Sequence, residues 1–479
     1  MGLATAPLNL DPRFATDATS ARINRLLYQR LVEFDGRSMP IPGIADWQLI
    51  SPTHYRFNLR LPTAEFSNGV PVVAEDVAAS YRFVIDPANA SPHRAALELI
   101  ERVVAVDGKT VDFHLSRSDP LFPAYLILEI LPAGLIAARH PFATAPVGSG
   151  DFVFIDRPEP GRLLLQRRHD RQRFELLEVK NPTVRVLKLL RGEIQLLQND
   201  ISPELIGYLK SMEEIEVNQL EGINFSYLGF NMRDSATGDP LVRRAIAHAI
   251  DREAIIQQVM NRSARTAEAL FPPEHWAGSD ELEPISYAPE QARKLLEQAG
   301  YSAVNPLQLV YKTSSDPFRI RLATIIQSQL NSVGIEVDLR SYDWGTFFGD
   351  IKAGRFQLYS LTWVGLRTPD SFRYIFASAS IPPNGANRGR YSNEQVDELL
   401  DQAEQQHSLE ALAANYRRIQ RILHDDLPYV PLWYEDHLAA SRKEIAGYRL
   451  SPDGNYDGLK QVNFRPTTEA SNGGNMAAH

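Results

Sequence analysis

Residues 356–372 read FQLYSLTW and then VGLRTPDSF. The first half is apolar and rich in aromatic and small residues, the composition of a buried strand. The second half cannot prolong it. Gly365, Pro369 and Asp370 are turn formers, and Pro369 biases Thr368 away from the helical region. Trp363 therefore stands at the end of a core strand, and Arg367 lies on the loop that follows. In open α/β sheets, ligands sit beyond the carboxyl ends of the strands. The turn after Trp363 is thus where a pocket for a small organic ligand is expected. The other reading is a core tryptophan followed by a surface arginine held in a salt bridge.

Upstream of this stretch the pattern is regular. A helix over Pro289–Ala299 stops at Gly300, and a strand follows at Leu307–Tyr311. A helix over Arg319–Val333 stops at Gly334, and a strand follows at Ile335–Leu339. A helix over Trp344–Ala353 then stops at Gly354, just before the opening strand. Such alternation marks a parallel-rich α/β unit. Downstream, two helices, Asn393–Glu404 and Leu409–Asp425, lead to a strand at Val430–Tyr434 that leaves the unit.

The first half of the chain is richer in strands. Leu3–Leu10 reads as a short strand, and Asp17 or Thr19 can cap a helix over Ser20–Phe34. Trp47–Leu49 and the alternating Tyr55–Leu61 are strands. Ala74–Ile85 is a helix with Val77, Tyr81 and Val84 on one side. Val103–Val106 and Val111–Leu115 form a hairpin around Asp107-Gly108. After the small-residue junction Val147–Asp151, Phe152–Ile155 and Leu163–Arg167 form another. Pro182 opens a helix to Leu190, Ser202-Pro203-Glu204 opens a further one, and Asn224–Asn231 is a strand. Asp239 caps the next helix, and Asp251 its continuation. No periodicity marks residues 466–479, which read as a disordered tail.

A length of 479 residues fits two or three domains at about 150 residues each. Hydrophobic content of 44% and charged content of 23% are ordinary for a globular protein. The net charge of −9 argues against nucleic acid, which needs clustered Lys and Arg. The chain has no cysteine, which removes thiol catalysis, zinc–thiolate sites and disulfides together. No apolar run reaches the roughly 18 residues of a membrane span. The opening MGLATAPLNLDPR has neither the basic region nor the apolar run of a signal peptide.

Catalytic motifs are missing. The 11 histidines are scattered, without a helical i, i+4 pair or an HExxH. Gly148-Ser149-Gly150 lacks the frame of a nucleophile elbow, and neither GxGxxG nor GxxxxGK[ST] occurs. His424-Asp425-Asp426 ends a helix, where the dipole favours a cationic histidine. We therefore expect a binding protein without chemistry, cofactor or metal.

Several segments together resemble one family. They are LNLDPRFATD (Leu8–Asp17), LLYQRLVEFDG (Leu26–Gly36), FSNGVPVVAEDVAASYRFVIDP (Phe66–Pro87) and VGSGDFVF (Val147–Phe154). YLGFNM (Tyr227–Met232), LVRRAIAHAIDREAII (Leu241–Ile256), the TPDSF loop and DLPYVPLWYED (Asp426–Asp436) complete the set. Their order and spacing resemble the bacterial extracellular solute-binding proteins of family 5, the peptide/opine/nickel-type receptors of ABC importers.

The resemblance implies a two-lobed α/β fold of the periplasmic-binding-protein kind (type II, cluster C) with an extra domain inserted in lobe one. Lobe one would comprise 1–40, 151–225 and 440–465, with the strand-rich insert at 41–150. Lobe two would be 226–439, joined by crossovers at Ser226–Asn231 and Trp433–Ala440. The lobes would close over a solute and present it to a membrane permease. Such a receptor is a periplasmic or lipid-anchored monomer at the outer face of the cytoplasmic membrane. A sensor module on the same fold, or a receptor for a nickel or other metal chelate, are the alternatives.

The resemblance places ligand contacts at Arg13, Phe14 and Asp17, at Asn231, along Trp363, Gly365, Leu366, Arg367, Thr368 and Asp370, and at Tyr434. In Phe66–Pro87 it implies a structural role, with Asp76 capping or tethering a helix. Peptide-binding members carry an acid shortly after the tryptophan, where this chain has Gly365 or Leu366; Asp370 is a substitute. An arginine in the cleft favours a carboxylate or phosphate. The expected solute is peptide-like, an opine or another carboxylate-bearing molecule.

Overall fold

The alternation read from Ala288 onward builds one end of an 11-stranded sheet. In the computed structural model, which describes residues 1–406 and 408–465, Leu307–Ser314 and Ile335–Tyr342 pair in parallel along their whole length. Leu358–Trp363 joins Leu307–Ser314 in parallel only through Tyr311 and Lys312, so its far end splays away. Helices Pro289–Gln298, Pro317–Ser332 and Trp344–Ala353 connect and cover these strands. The last stops at Gly354, whose φ of 79° provides a left-handed terminus. Leu307, Tyr311, Ile326, Leu330, Ile335 and Leu358 are each at most 1% exposed. Burial of each such aliphatic side chain contributes about 1.5–3 kcal/mol. The expected tail at 466–479 lies outside the described residues.

Two long antiparallel strands, Ile215–Phe230 and Tyr429–Arg442, form the middle of the sheet. On one side, Phe225–Phe230 pair with Leu358–Trp363. On the other, Ala439–Ser441 pair with Leu196–Gln198. The sheet continues through Gly2–Leu3, Arg173–Glu178, Arg162–Arg167 and Phe152–Glu159, in that order.

 The register between the two long strands breaks between Leu220 and Asn224, opposite His437 and Glu435. Gly222 sits in that break, and a Cβ there would lie 2.2 Å from the Glu435 carbonyl oxygen. Only glycine lets the two backbones approach so closely. Both expected crossover segments lie on these two strands: Ser226 to Phe230 follow the break and are laddered to Leu358–Trp363, and Trp433–Ala440 runs opposite it.

A separate four-stranded sheet, ordered Ala45–Ser51, His54–Leu59, Thr110–Leu115, Ile100–Ala105, carries helix Ala74–Ile85 on one face. Val77, Tyr81 and Val84 on that helix are fully buried with Phe57 and Phe113. Asp76 both caps and tethers: its carboxylate accepts from the Val73 N–H at 2.9 Å and from the Ala133 N–H at 2.7 Å.

Two elements near the N-terminus differ from expectation. The helix expected over Ser20–Phe34 is Ala18–Leu27, capped by Asp17, whose carboxylate accepts from the Ser20 N–H. It ends because Tyr28 turns extended and its hydroxyl donates to the Leu10 carbonyl. Val32–Phe34 then pairs as a strand with Pro40–Pro42. The strand expected over Leu3–Leu10 shrinks to Gly2–Leu3. Side chains take its later backbone donors: Asn9 N–H goes to Ser20 Oγ and Asp11 N–H to Asn9 Oδ1.

Candidate functional site

A cavity of about 370 Å³ lies between the loop after Trp363 and the N-terminal part of the chain. That is a size suited to a small organic ligand, for which about 300–1,000 Å³ is usual. Gly365, Arg367 and Thr368 form one wall. The other comes from the N-terminal part, including Asn24, Arg25, Phe34, His93 and Glu129, with Asn455 from near the chain's end.

The loop behind the first wall is held firmly. Gly365 has a φ of 72°, a left-handed turn out of the strand that a side chain would strain. Two residues on, the Arg367 carbonyl accepts a hydrogen bond from His275 Nε2 at 2.7 Å. The other ring nitrogen, Nδ1, accepts from the Ala277 N–H at 3.1 Å. This arrangement fixes a neutral tautomer, and the ring stacks on Phe271 at 4.1 Å. Burial drives the His275 pKa down to about 4, so the ring is neutral at ordinary pH.

The Arg367 guanidinium reaches over the Phe34 ring and donates to Asp453 at 2.6 Å. Burial alone would raise the Asp453 carboxyl; Arg367 and the donors from Ser451 and Asn455 outweigh it and hold it below the ordinary range. The pair ties the loop after Trp363 to the turn at 451–455.

In the opposite wall, Arg25 pairs with Glu33 at 2.7 Å and with Asp457 at 2.6 Å. Arg30 shares Glu33, also at 2.7 Å. Every arginine of the lining is thus matched by an acid. Glu129 is the one carboxylate in the lining, and no other residue makes a hydrogen bond or ion pair to its side chain among the described residues. Its carboxyl rises to about 8, chiefly through burial; its own backbone N–H and Arg25 offset this only in part. Asn24 is 1% exposed, and both of its amide atoms lack partners among the described residues. His93 Nε2 is likewise buried and unpartnered.

Of the residues expected to contact ligand, Gly365, Arg367 and Thr368 come together at this cavity. Arg13 is buried against Asp11 and lies over the Phe83 ring, on which Phe14 also packs. Asp17 is spent on its helix cap. The Asn231 amide donates to the Gly354 and Phe356 carbonyls, locking the end of the long strand. Trp363 stacks against Tyr227 and receives the Arg388 guanidinium 4.4 Å from its ring centroid. Leu366 packs with the hydrophobic cluster behind the loop. Asp370 is exposed and stands just before helix Ser371–Phe376; desolvation raises its carboxyl, and Asp119 adds to the rise. Tyr434 is 2% exposed and donates to the Ala269 carbonyl. None of these eight lines the cavity.

Asn24, His93, Glu129, His275 and Asp453 did not emerge from the sequence as ligand contacts. One signal was available: Glu129 interrupts the otherwise apolar run LILEIL at 126–131. An acid inside such a run is costly unless it meets a partner or a cavity.

A possible metal cluster lies on the outer face of the four-stranded sheet. His54, Asp112 and His114 bring ligand atoms within 4.8 Å of one another. Both Asp112 oxygens accept from the Arg56 guanidinium at 2.8 Å, so a cation already occupies that carboxylate.

The model of the bacterial extracellular solute-binding proteins, family 5, middle region, matches residues 40–383. The chain belongs to family 5 of the solute-binding proteins. Di/tripeptide-binding protein 2 of Pseudomonas aeruginosa is 29% identical to this solute-binding protein, over 93% of this chain and 91% of the relative. Heme-binding protein A of Haemophilus influenzae is 28% identical, over 96% and 91%. Among solved structures, the ABC transporter-associated periplasmic binding protein DppA from Helicobacter pylori, in complex with the peptide STSA, superposes with a TM-score of 0.77. It is 26% identical, with 97% of both chains covered. The substrate-binding protein CtaP of Listeria monocytogenes reaches a TM-score of 0.86 at 21% identity, over 97% of this chain and 98% of that one. This solute-binding protein has the two-lobed α/β fold of these neighbours.

Proposed function

We propose that this chain is the periplasmic receptor of an ABC importer and binds its solute, unchanged, in the cavity faced by Arg367 and Glu129. The observation that carries this reading is the cavity itself, with Gly365, Arg367 and Thr368 on one wall, residues of the N-terminal part on the other, and the Arg367–Asp453 ion pair beside it. We assign lobe one to 1–40, 151–225 and 440–465 with its insert at 41–150, and lobe two to 226–439. The solute is peptide-like or bears a carboxylate, and the receptor acts as a monomer without catalysis. A solute carboxylate would meet Arg367 in competition with Asp453. The relatives named for di- and tripeptides, and the neighbour solved with a peptide, support this size and chemistry.

The test joins two measurements. Mass spectrometry of small molecules released on denaturation identifies any co-purified solute. Small-angle scattering of the emptied protein, before and after that solute or a dipeptide mixture is added, follows closure. A smaller radius of gyration with an unmodified solute is expected. Identical profiles with every cargo, or turnover of the solute, would overturn the reading.

A further inference from the structure

We propose that His54, His114 and Asp112, on the outer face of the four-stranded sheet, form a site for a divalent transition-metal ion that competes with Arg56 for the Asp112 carboxylate. None of the three lines the cavity described above, so this assignment stands apart from the receptor reading.

Strand register brings the three together. On the antiparallel strands His54–Leu59 and Thr110–Leu115, His54 stands directly opposite His114, and Arg56 directly opposite Asp112. Residues two apart on a strand share a face, so these four side chains form one patch. His54 and Asp112 are diagonal neighbours in it, a separation that long side chains can bridge. The ligand atoms of His54, Asp112 and His114 all lie within 4.8 Å of one another. No other trio of histidine, cysteine or carboxylate donors comes as close among the described residues.

The surroundings of His54 point to a cation. Its Nε2 is buried and makes no hydrogen bond among the described residues, although Asp112 Oδ2 lies only 3.1 Å away. A bare imidazole nitrogen and a carboxylate oxygen are both acceptors and repel at that distance unless a positive centre joins them. Two donors on one metal ion, with bonds of about 2.0–2.2 Å, stand about 2.8–3.5 Å apart, and the observed spacing falls inside that range. The His114 ring stacks on His54, with centroids 4.4 Å apart and planes at 21°. To share an ion the rings must turn about χ2, a torsion with broad minima for histidine. Imidazole with carboxylate suits zinc and its neighbours, whereas magnesium and calcium favour oxygen alone. The His54 side chain is 19% exposed, so water can fill the positions that the protein leaves open.

Two cations oppose the ion. Arg56 donates to both Asp112 oxygens at 2.8 Å, and Arg102 stands opposite His114 on the next strand. Each carboxylate oxygen has two lone pairs, so Oδ2 retains one for a metal. The Arg56 side chain is 35% exposed, and a pair so open to water holds its carboxylate weakly. A bound ion would clasp two neighbouring strands and stabilise the folded sheet.

Titration calorimetry of the full chain with zinc chloride, and with magnesium chloride as the control, tests the site. One equivalent of Zn²⁺ is expected to bind at pH 7.5, less tightly at pH 5.5 where the imidazoles take up protons, and Mg²⁺ is not expected to bind there. His54→Gln combined with His114→Gln should weaken Zn²⁺ by at least about tenfold, since losing even an outer-shell partner costs that much. Arg56→Met should tighten Zn²⁺ by a few-fold. Anomalous diffraction from zinc-soaked crystals of the wild type needs no variant to fold, and should place the ion against His54 Nε2 and Asp112 Oδ2. Absence of zinc binding, a peak elsewhere, equal affinity in the double histidine variant, or no tightening by Arg56→Met overturns the assignment.

Discussion

Arg367 and Asp453, 86 positions apart in the chain, meet at 2.6 Å beside the cavity that Arg367 lines. Both side chains are only 17% exposed. Removing one partner strands the other charge in a poorly solvated place. Arg367→Ala is expected to destabilise the ligand-free protein by about 3 kcal/mol. Arg367→Met combined with Asp453→Leu should recover most of that loss, since neither charge remains. Calorimetric unfolding of the single and double variants provides the comparison. If the double variant is no better than the single, the pair is not coupled.

Glu129 makes the ligand-free protein sensitive to alkali. Its carboxyl rises from 4.5 to about 8 on folding. Between those values the unfolded chain has lost the proton and the folded chain keeps it. Stability is therefore fully present below about pH 4.5 and declines as pH rises towards 8. Arg25 and Glu33, the charged groups acting on it, stay paired to each other. Glu129→Gln removes the ionisation and should unfold at a higher temperature than wild type at pH 8.5. The two proteins should converge at pH 4.5. A variant that melts below wild type at pH 8.5 contradicts this account.

His275 has the opposite dependence on pH. Its pKa falls from 6.5 to about 4 on folding, mainly through burial. As pH drops through that window the unfolded chain takes up a proton that the folded chain refuses, so stability is lost towards acid. His275→Gln keeps a donor for the Arg367 carbonyl and does not titrate. Melting curves from pH 7 to pH 4 should show a shallower acid decline for the variant. Parallel declines would assign acid sensitivity to other groups.

Gly222 tests the break between the two long strands. A methyl group there meets the Glu435 carbonyl oxygen at 2.2 Å, a backbone atom that cannot swing aside. Gly222→Ala is expected to lower stability by about 1–3 kcal/mol. It should also change the radius of gyration of the ligand-free protein. An unchanged melting temperature together with an unchanged scattering profile would remove any special role from this position.

Much of the architecture was legible because short-range signals agreed with the tertiary outcome. Helices Ala74–Ile85, Pro182–Leu190 and Trp344–Ala353 were read with the bounds they have. In each, an apolar face coincides with local start and stop residues. The helix after Asp17 was overread because Leu31 and Val32 continue its apolar spacing. What ends it is the Tyr28 hydroxyl reaching Leu10, a long-range contact that no local pattern announces. The full length of the strand was underread for a similar reason. The apolar run from Phe225 marks where it enters the core, whereas its less apolar start at Ile215 is held by pairing to Arg442 across the sheet.

The site divided along the same line. The turn after Trp363 was readable from Gly365 and Pro369, and three of its residues line the cavity. The opposite wall was not readable. Asn24, His93 and Glu129 come from separate elements, and their importance lies in partners they lack, a property of packing that sequence spacing does not encode.

The unlaced stretch around Gly222 has a mechanical meaning. Two ribbons stitched together above and below a gap can fold about that gap like a book's spine, but they cannot slide past each other. Any flexing of the pair is thus confined to one short place, while the stitching on either side keeps its register.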